Sequence, residues 1–187
     1  MDLILVALSG IFLFLPALVP NSAAVLFGGG TPVDLGRTWR GKRILGDGKT
    51  WTGLIGGIAA GTSLGILLTI VSIVLDFPEQ WTWGSGLDAL GVVFALALGS
   101  LLGDMTGAFI KRRLGMERGH KAPILDQYDF VAGGLGIAAL LYPEWVASHY
   151  VSGESIIALV VLLVFVPVLH RSVNIIGFKM GKKKEPW

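Results

Sequence analysis

The chain has 187 residues, of which 53% are hydrophobic and only 15% charged, and its formal net charge is +2. That balance excludes an ordinary soluble domain, in which about a quarter of residues are charged, and it indicates an all-α integral membrane protein. The lack of cysteine excludes a disulfide framework and a zinc thiolate site.

Five apolar segments can be drawn, over about residues 3–20, 51–75, 87–110, 129–147 and 155–176, forming one polytopic domain over residues 1–187. Spanning a bilayer takes about 20 residues. The first segment begins Met1-Asp2 and has no basic flank, so it reads as a span and not as a secretory signal. It is expected to end at Pro16 and Pro20, leaving Asn21 either in a simple helix end or in a polar site.

The stretch from Gly28 to Thr50 reads as a loop, opened by Gly28-Gly29-Gly30-Thr31-Pro32. It mixes cations with glycines in Arg40-Gly41-Lys42-Arg43 and in Gly46-Asp47-Gly48-Lys49-Thr50. Successive backbone N–H groups in such a stretch can cradle phosphate. A loop on the basic side of a membrane would also carry scattered Lys and Arg with no ligand. The loop has no Gly-x-x-x-x-Gly-Lys-Ser/Thr run.

In the second segment Gly53, Gly57, Gly61 and Gly65 recur every four residues. Such a ridge lets a neighbouring backbone come close. The third segment leads into Asp104 and then Lys111-Arg112-Arg113. Asp104 and Lys111 share a helical face, but seven residues separate them by about 10 Å along the axis, so Asp104 is expected to have another partner. Asp126 and Asp129 lie three apart at the head of the fourth segment and project from one side. Two such carboxylates repel unless a cation stands between them. Oxygen ligands beside a polyphosphate suit Mg²⁺, which takes one or two carboxylates and keeps waters. The plainer alternative pairs these acids with Arg112, Arg113 or Arg118. His120, His149 and His170 are not clustered, and the fifth segment reads as packing.

All fifteen Lys and Arg residues fall between segments one and two, between three and four, or at the C-terminal end. With five spans these places share one side, and the positive-inside rule makes it the cytoplasm. The N-terminus is then outside, the C-terminus is cytoplasmic, and two cytoplasmic loops carry the function. Carboxylates and cations gathered at a membrane face suit a substrate that is both anionic and lipid-anchored. Phosphoryl or nucleotidyl transfer fits, because its catalysis is mostly positioning and charge stabilisation.

Lys111-Arg112, Arg118-Gly119, Pro123 and Asp126-Gln127-Tyr128-Asp129-Phe130 resemble the signature of membrane CTP-dependent cytidylyltransferases. The pattern around Gly41-Lys42-Arg43 and Gly46-Asp47-Gly48-Lys49-Thr50 narrows the resemblance to the CDP-archaeol synthase family. Against the wider CDP-diacylglycerol synthase signature, the His-Gly-Gly stretch and the Lys-Asp pair are absent, and Gln127 replaces an Arg.

The resemblance implies cytidylyl transfer from CTP to digeranylgeranylglyceryl phosphate, giving CDP-archaeol and pyrophosphate at a cell-membrane site facing the cytoplasm. It implies Mg²⁺ on Asp126 and Asp129, with Asp104 as the candidate further ligand. Lys111 and Arg112, with the two aspartates, would act at the reacting phosphates. Lys42, Lys49, Thr50 and Arg118 would bind substrate, with Asn21 near the base. No nucleic-acid partner is expected. A CDP-alcohol phosphotransferase would need Asp-Gly-x-x-Ala-Arg, which is missing. An ion-coupled carrier of an anionic substrate would place its acids near the midplane and show an inverted repeat.

Overall fold

The computed structural model describes residues 2–116, 120 and 122–179. Helix α1 (Leu3–Phe27) is followed by a hairpin of two-residue strands, β1 (Thr38–Trp39) and β2 (Lys42–Arg43). Then come α2 (Trp51–Val74), α3 (Gly86–Arg113), α4 (Pro123–Leu141), the short α5 (Pro143–Val146) and α6 (Ile156–Lys179). Four of these, α1 to α4, are each long and apolar enough to cross a membrane. A fifth span exists if the stretches Pro143–Val151 and Gly153–Leu169, bent by 77° at their junction, count as one broken crossing.

The first expected boundary is corrected. α1 does not stop at Pro16 or Pro20 but runs on to Phe27, so Asn21 lies inside a helix. A proline removes the N–H that would bond the carbonyl four residues earlier, and such gaps are tolerated where neighbouring elements cover the freed backbone. Here they do. The carbonyl of Pro16, left without its partner by Pro20, faces Gly61 of α2, where a Cβ would stand only 2.5 Å from it. Other α1 carbonyls receive buried side-chain donors. Tyr150 Oη donates to Gly10 at 2.7 Å, Trp83 Nε1 to Leu13 at 3.0 Å and Ser100 Oγ to Ala17 at 2.7 Å.

The glycine ridge on α2 has the expected use. Gly53, Gly57 and Gly61 lie against the carbonyls of Ala24, Pro20 and Pro16, so the two backbones meet with no side chain between them. Gly65 takes Val93 of α3 instead. The core between the helices is filled by Leu13, Phe14, Val92, Val93, Leu96, Trp83, Tyr150 and Leu162.

The fourth segment also shifts. α4 starts at Pro123, ahead of the expected 129, because Pro stands at the first helical position and the Asp126 carboxylate accepts the preceding Ala122 N–H at 3.0 Å. It stops at Leu141 because Pro143 follows, well short of 147.

The glycine contacts predict a graded response to added volume. Gly61→Val should lower the thermal midpoint of the detergent-purified protein, with overpacking costing about 1–3 kcal/mol. Gly136→Ala, where a Cβ meets nothing within 4 Å, should leave the midpoint unchanged.

Candidate active site

The aspartates are brought together by a second glycine contact, one that the sequence reading did not pick out. Gly99, Gly103 and Gly107 recur every four residues along α3, and Asp129 and Gly133 are four apart on α4. A Cβ on Gly99 would strike the carbonyl of Gly133, and one on Gly103 would strike the carbonyl of Asp129. One on Gly107 would strike Oδ2 of the Asp129 side chain. The two backbones therefore touch, and Asp129 is laid along the face of α3 that ends in Asp104 and Lys111. The four-residue spacing was the available signal.

A cavity of about 150 Å³ opens at this end of the bundle. Asn21 and Ser22 from α1, Asp104 from α3, and Asp126, Asp129 and Phe130 from α4 line it, with Leu18, Val166 and Leu169 as its apolar wall. Its polar and apolar walls meet, as a site for a charged group on a lipid requires. A wider cavity of about 770 Å³ at the opposite end is lined by Glu79, Asp88 and Glu144 with no Lys or Arg, the wrong sign for phosphate.

Each carboxylate in the first cavity has a fixed neighbour. Asp104 pairs with Lys49, which reaches in from the loop between α1 and α2. Lys111, about two turns beyond Asp104 on the same helix face, donates through Nζ to Asp126 Oδ1 at 2.6 Å. Asp104 thus has the separate partner that the spacing demanded. Asp129 Oδ1 accepts the Phe130 N–H at 2.7 Å. Among the described residues, three carboxylates and two ammonium groups meet here. Of the three arginines considered as partners for these acids, Arg112 and Arg113 bond elsewhere, and Arg118 lies outside the described residues. Arg112 donates to the Met116 carbonyl at 2.5 Å, and Arg113 turns to the hairpin.

The oxygen-only donors fit a hard divalent cation: three carboxylates and Asn21 Oδ1, a buried atom with no hydrogen-bond partner among the described residues. The expected metal set, Asp104, Asp126 and Asp129, lines this one cavity. Among the described residues no three acidic or histidine side chains close into a group able to hold an ion. Lys49 pairs with Asp104 and Lys111 with Asp126, so an ion here would compete with both ammonium groups and draw part of its shell from substrate oxygens and water.

The first-loop candidates divide by role. Thr50 is buried and caps α2, its Oγ1 accepting from Gly53 and Gly29 N–H, both at 3.2 Å. Lys49 is placed by a short ladder in which Val33 N–H donates to its carbonyl at 2.8 Å. Lys42 sits on β2, and its Nζ approaches Gly115 beyond α3. None of the three lines the cavity itself. Arg118 lies outside the described residues.

The residue that organises this loop, Asp34, was not singled out as such from the sequence. Its buried carboxylate accepts from Arg43 Nη2 at 2.7 Å and from the N–H groups of Leu45, Gly46 and Gly36 at 2.9, 3.0 and 3.1 Å. Burial pushes its pKa up, but the Arg43 guanidinium and these three N–H groups outweigh that and hold it well below the usual carboxylate range. A depressed carboxylate stabilises the folded loop at every pH above its unfolded value, about 3.9, and loses that contribution as the pH falls further. Leu45 and Gly46 amides should therefore exchange faster in Asp34→Asn than in the parent at neutral pH. The difference should shrink as the pH is taken below about 4.

The family model for the CarS-like family, described as CDP-archaeol synthase, matches residues 1–187. Curated relatives carry the same description. One from Methanospirillum hungatei is 46% identical, covering 92% of this chain and 99% of its own length. One from Picrophilus torridus is 43% identical over 98% of both chains, and one from Halobacterium salinarum is 40% identical over the full length of both. A solved structure titled as an intramembrane enzyme for archaeal membrane lipids biosynthesis superposes with a TM-score of 0.68 at 37% identity, covering 90% of this chain and 94% of that one.

Proposed function

This chain belongs to the CDP-archaeol synthase family, and from that premise we propose that it transfers the cytidylyl group of CTP to digeranylgeranylglyceryl phosphate, releasing pyrophosphate. The observation that carries the reading is the cavity itself. Its carboxylates, two of them paired with a lysine each, offer a charged wall for phosphate chemistry, while Leu18, Val166 and Leu169 offer an apolar wall for an isoprenoid chain.

The acceptor phosphomonoester needs no base, since its second pKa of about 6 leaves it largely ionised near neutral pH. Its oxygen attacks the α-phosphorus of CTP, a new P–O bond forms, and the bond from that phosphorus to the bridging oxygen of the β-phosphate breaks. The electron pair leaves with pyrophosphate. Lys111 and Lys49, paired with two of the cavity's aspartates, would offset the negative charge gathering on the phosphates, since fixed cations in a partly desolvated site act without reorganising. Arg112, at the end of α3, adds to the positive field. Asp126 is held rigidly by Lys111 and the Ala122 N–H, so its position does not depend on substrate.

Mg²⁺ would be held by Asp126 and Asp129, with Asp104 and Asn21 beside it, and when bound it neutralises triphosphate charge. The chain's own share is to keep these oxygens on one wall, through the α3 and α4 backbone contact. Arg118 would meet a substrate phosphate from the connection between these helices. The Lys- and Arg-rich end faces the cytoplasm, where CTP is found, by the charge distribution of the sequence.

Purified protein given CTP, a dialkylglycerol phosphate and Mg²⁺ should release pyrophosphate only when all three are present, and ATP should not replace CTP. Asp129→Asn should reduce the rate by about 100-fold or more, in the range of lost electrostatic stabilisation, while the folded yield is kept. Absence of release from folded parent protein with every nucleotide would favour the carrier reading, and full activity in Asp129→Asn would remove that residue from the site.

A further inference from the structure

Arg113 is not used by the chemistry above, yet it makes one of the densest sets of contacts in the chain. Its Nη1 donates to the Trp39 carbonyl at 2.6 Å, and its Nη2 donates to the carbonyls of Arg43 at 2.5 Å and Lys42 at 3.1 Å. The guanidinium carbon lies 5.3 Å from the ring centroids of both Trp39 and Phe109, and those two rings stack on each other at 5.8 Å. One planar cation at the end of α3 thus takes three carbonyls of the hairpin with its fork and two aromatic rings with its face. Lysine, a point charge without the planar fork, cannot reproduce both.

The hairpin needs holding. Its turn puts both Arg40 and Gly41 at positive φ, 52° and 74°. Arg40 is not glycine, and that conformation persists only where the surroundings over-determine it. Two paired residues on each strand supply little. The base of the loop is tied by Thr31, Val33 and Lys49, and its middle by Asp34. The tip, which carries Arg37, Arg40 and Lys42, is tied to the helical bundle through Arg113 and Phe109.

We propose that Arg113 is a positioning residue: by clamping the 38–43 hairpin to the end of α3 it fixes where the cations of the first loop stand relative to the aspartate cavity, and so sets the affinity for the triphosphate. This rests on the cytidylyltransfer reading, but the clamp can be measured without it. Arg37, Arg40 and Lys42 are exposed tryptic sites whose cleavage requires the hairpin to leave its docked shape.

The test compares the full chain in detergent with Arg113→Ala and Arg113→Lys. Trypsin should nick both variants within the hairpin at least about 10-fold faster than the parent. The KM for CTP should rise about 10-fold with kcat within about threefold. Millimolar guanidinium, which can take the place of the missing side chain beside the Trp39 and Phe109 rings, should restore both the resistance and the KM of Arg113→Ala, whereas equal ammonium should not. Should Arg113→Ala fail to fold, Trp39→Ala removes one ring of the clamp and should show the same faster nicking and raised KM.

Parent-like nicking in the variants would overturn the clamp. Faster nicking with an unchanged KM would overturn its positioning role. A parent protein that does not use CTP would instead overturn the cytidylyltransfer reading and the affinity claim that rests on it, leaving the nicking rates to decide the clamp alone.

Discussion

The backbone contact between α3 and α4 is the constraint on which the site depends. Gly99, Gly103 and Gly107 face Asp129 and Gly133 so closely that no Cβ fits between them. In lipid, where apolar side chains gain little by meeting one another, such contact is a main source of helix association. Its functional consequence is geometric. Residues beside the glycines inherit the short distance, so Asp104 and Asp129 come to line one cavity although they lie 25 positions apart in the chain. A larger residue at Gly107 would act directly on the Asp129 carboxylate and not only on packing.

A similar economy governs α1. Its two buried prolines would weaken a helix in water, but here Gly61 covers the Pro16 carbonyl, and Tyr150, Trp83 and Ser100 supply donors to other carbonyls of the same helix. The helix therefore continues to Phe27 and carries Asn21 and Ser22 into the cavity wall. Donors that appear to be ordinary core polar groups are thus part of what places the substrate-facing end of α1.

The first loop is assembled from polar contacts and has almost no regular structure. Asp34 gathers Arg43 and three N–H groups, Thr50 ties the loop to the start of α2, and Lys49 spans to Asp104. Its cations divide labour: Arg43 is consumed by the fold, Lys49 pairs with Asp104, and Lys42 stands near the end of α3. Charge counting alone cannot separate these roles, because all of them look alike as basic residues in a glycine-rich loop.

The sequence by itself determined the class and where the charges collect. Apolar segments of spanning length, basic residues confined to alternate connections, and Asp126 with Asp129 three apart could all be read there, since helix periodicity and hydropathy are local properties. So was the α2 glycine ridge. The tertiary structure decided which partner each charge takes. Asp104 with Lys49, Asp126 with Lys111, and Arg113 with the hairpin carbonyls are contacts between distant segments, fixed by how close helices pack and by where a loop folds back. It also decided that α1 passes through its prolines, because a proline's effect depends on whether neighbours cover the backbone it leaves bare. A local pattern fixes what a segment can be; only packing fixes which groups must face one another.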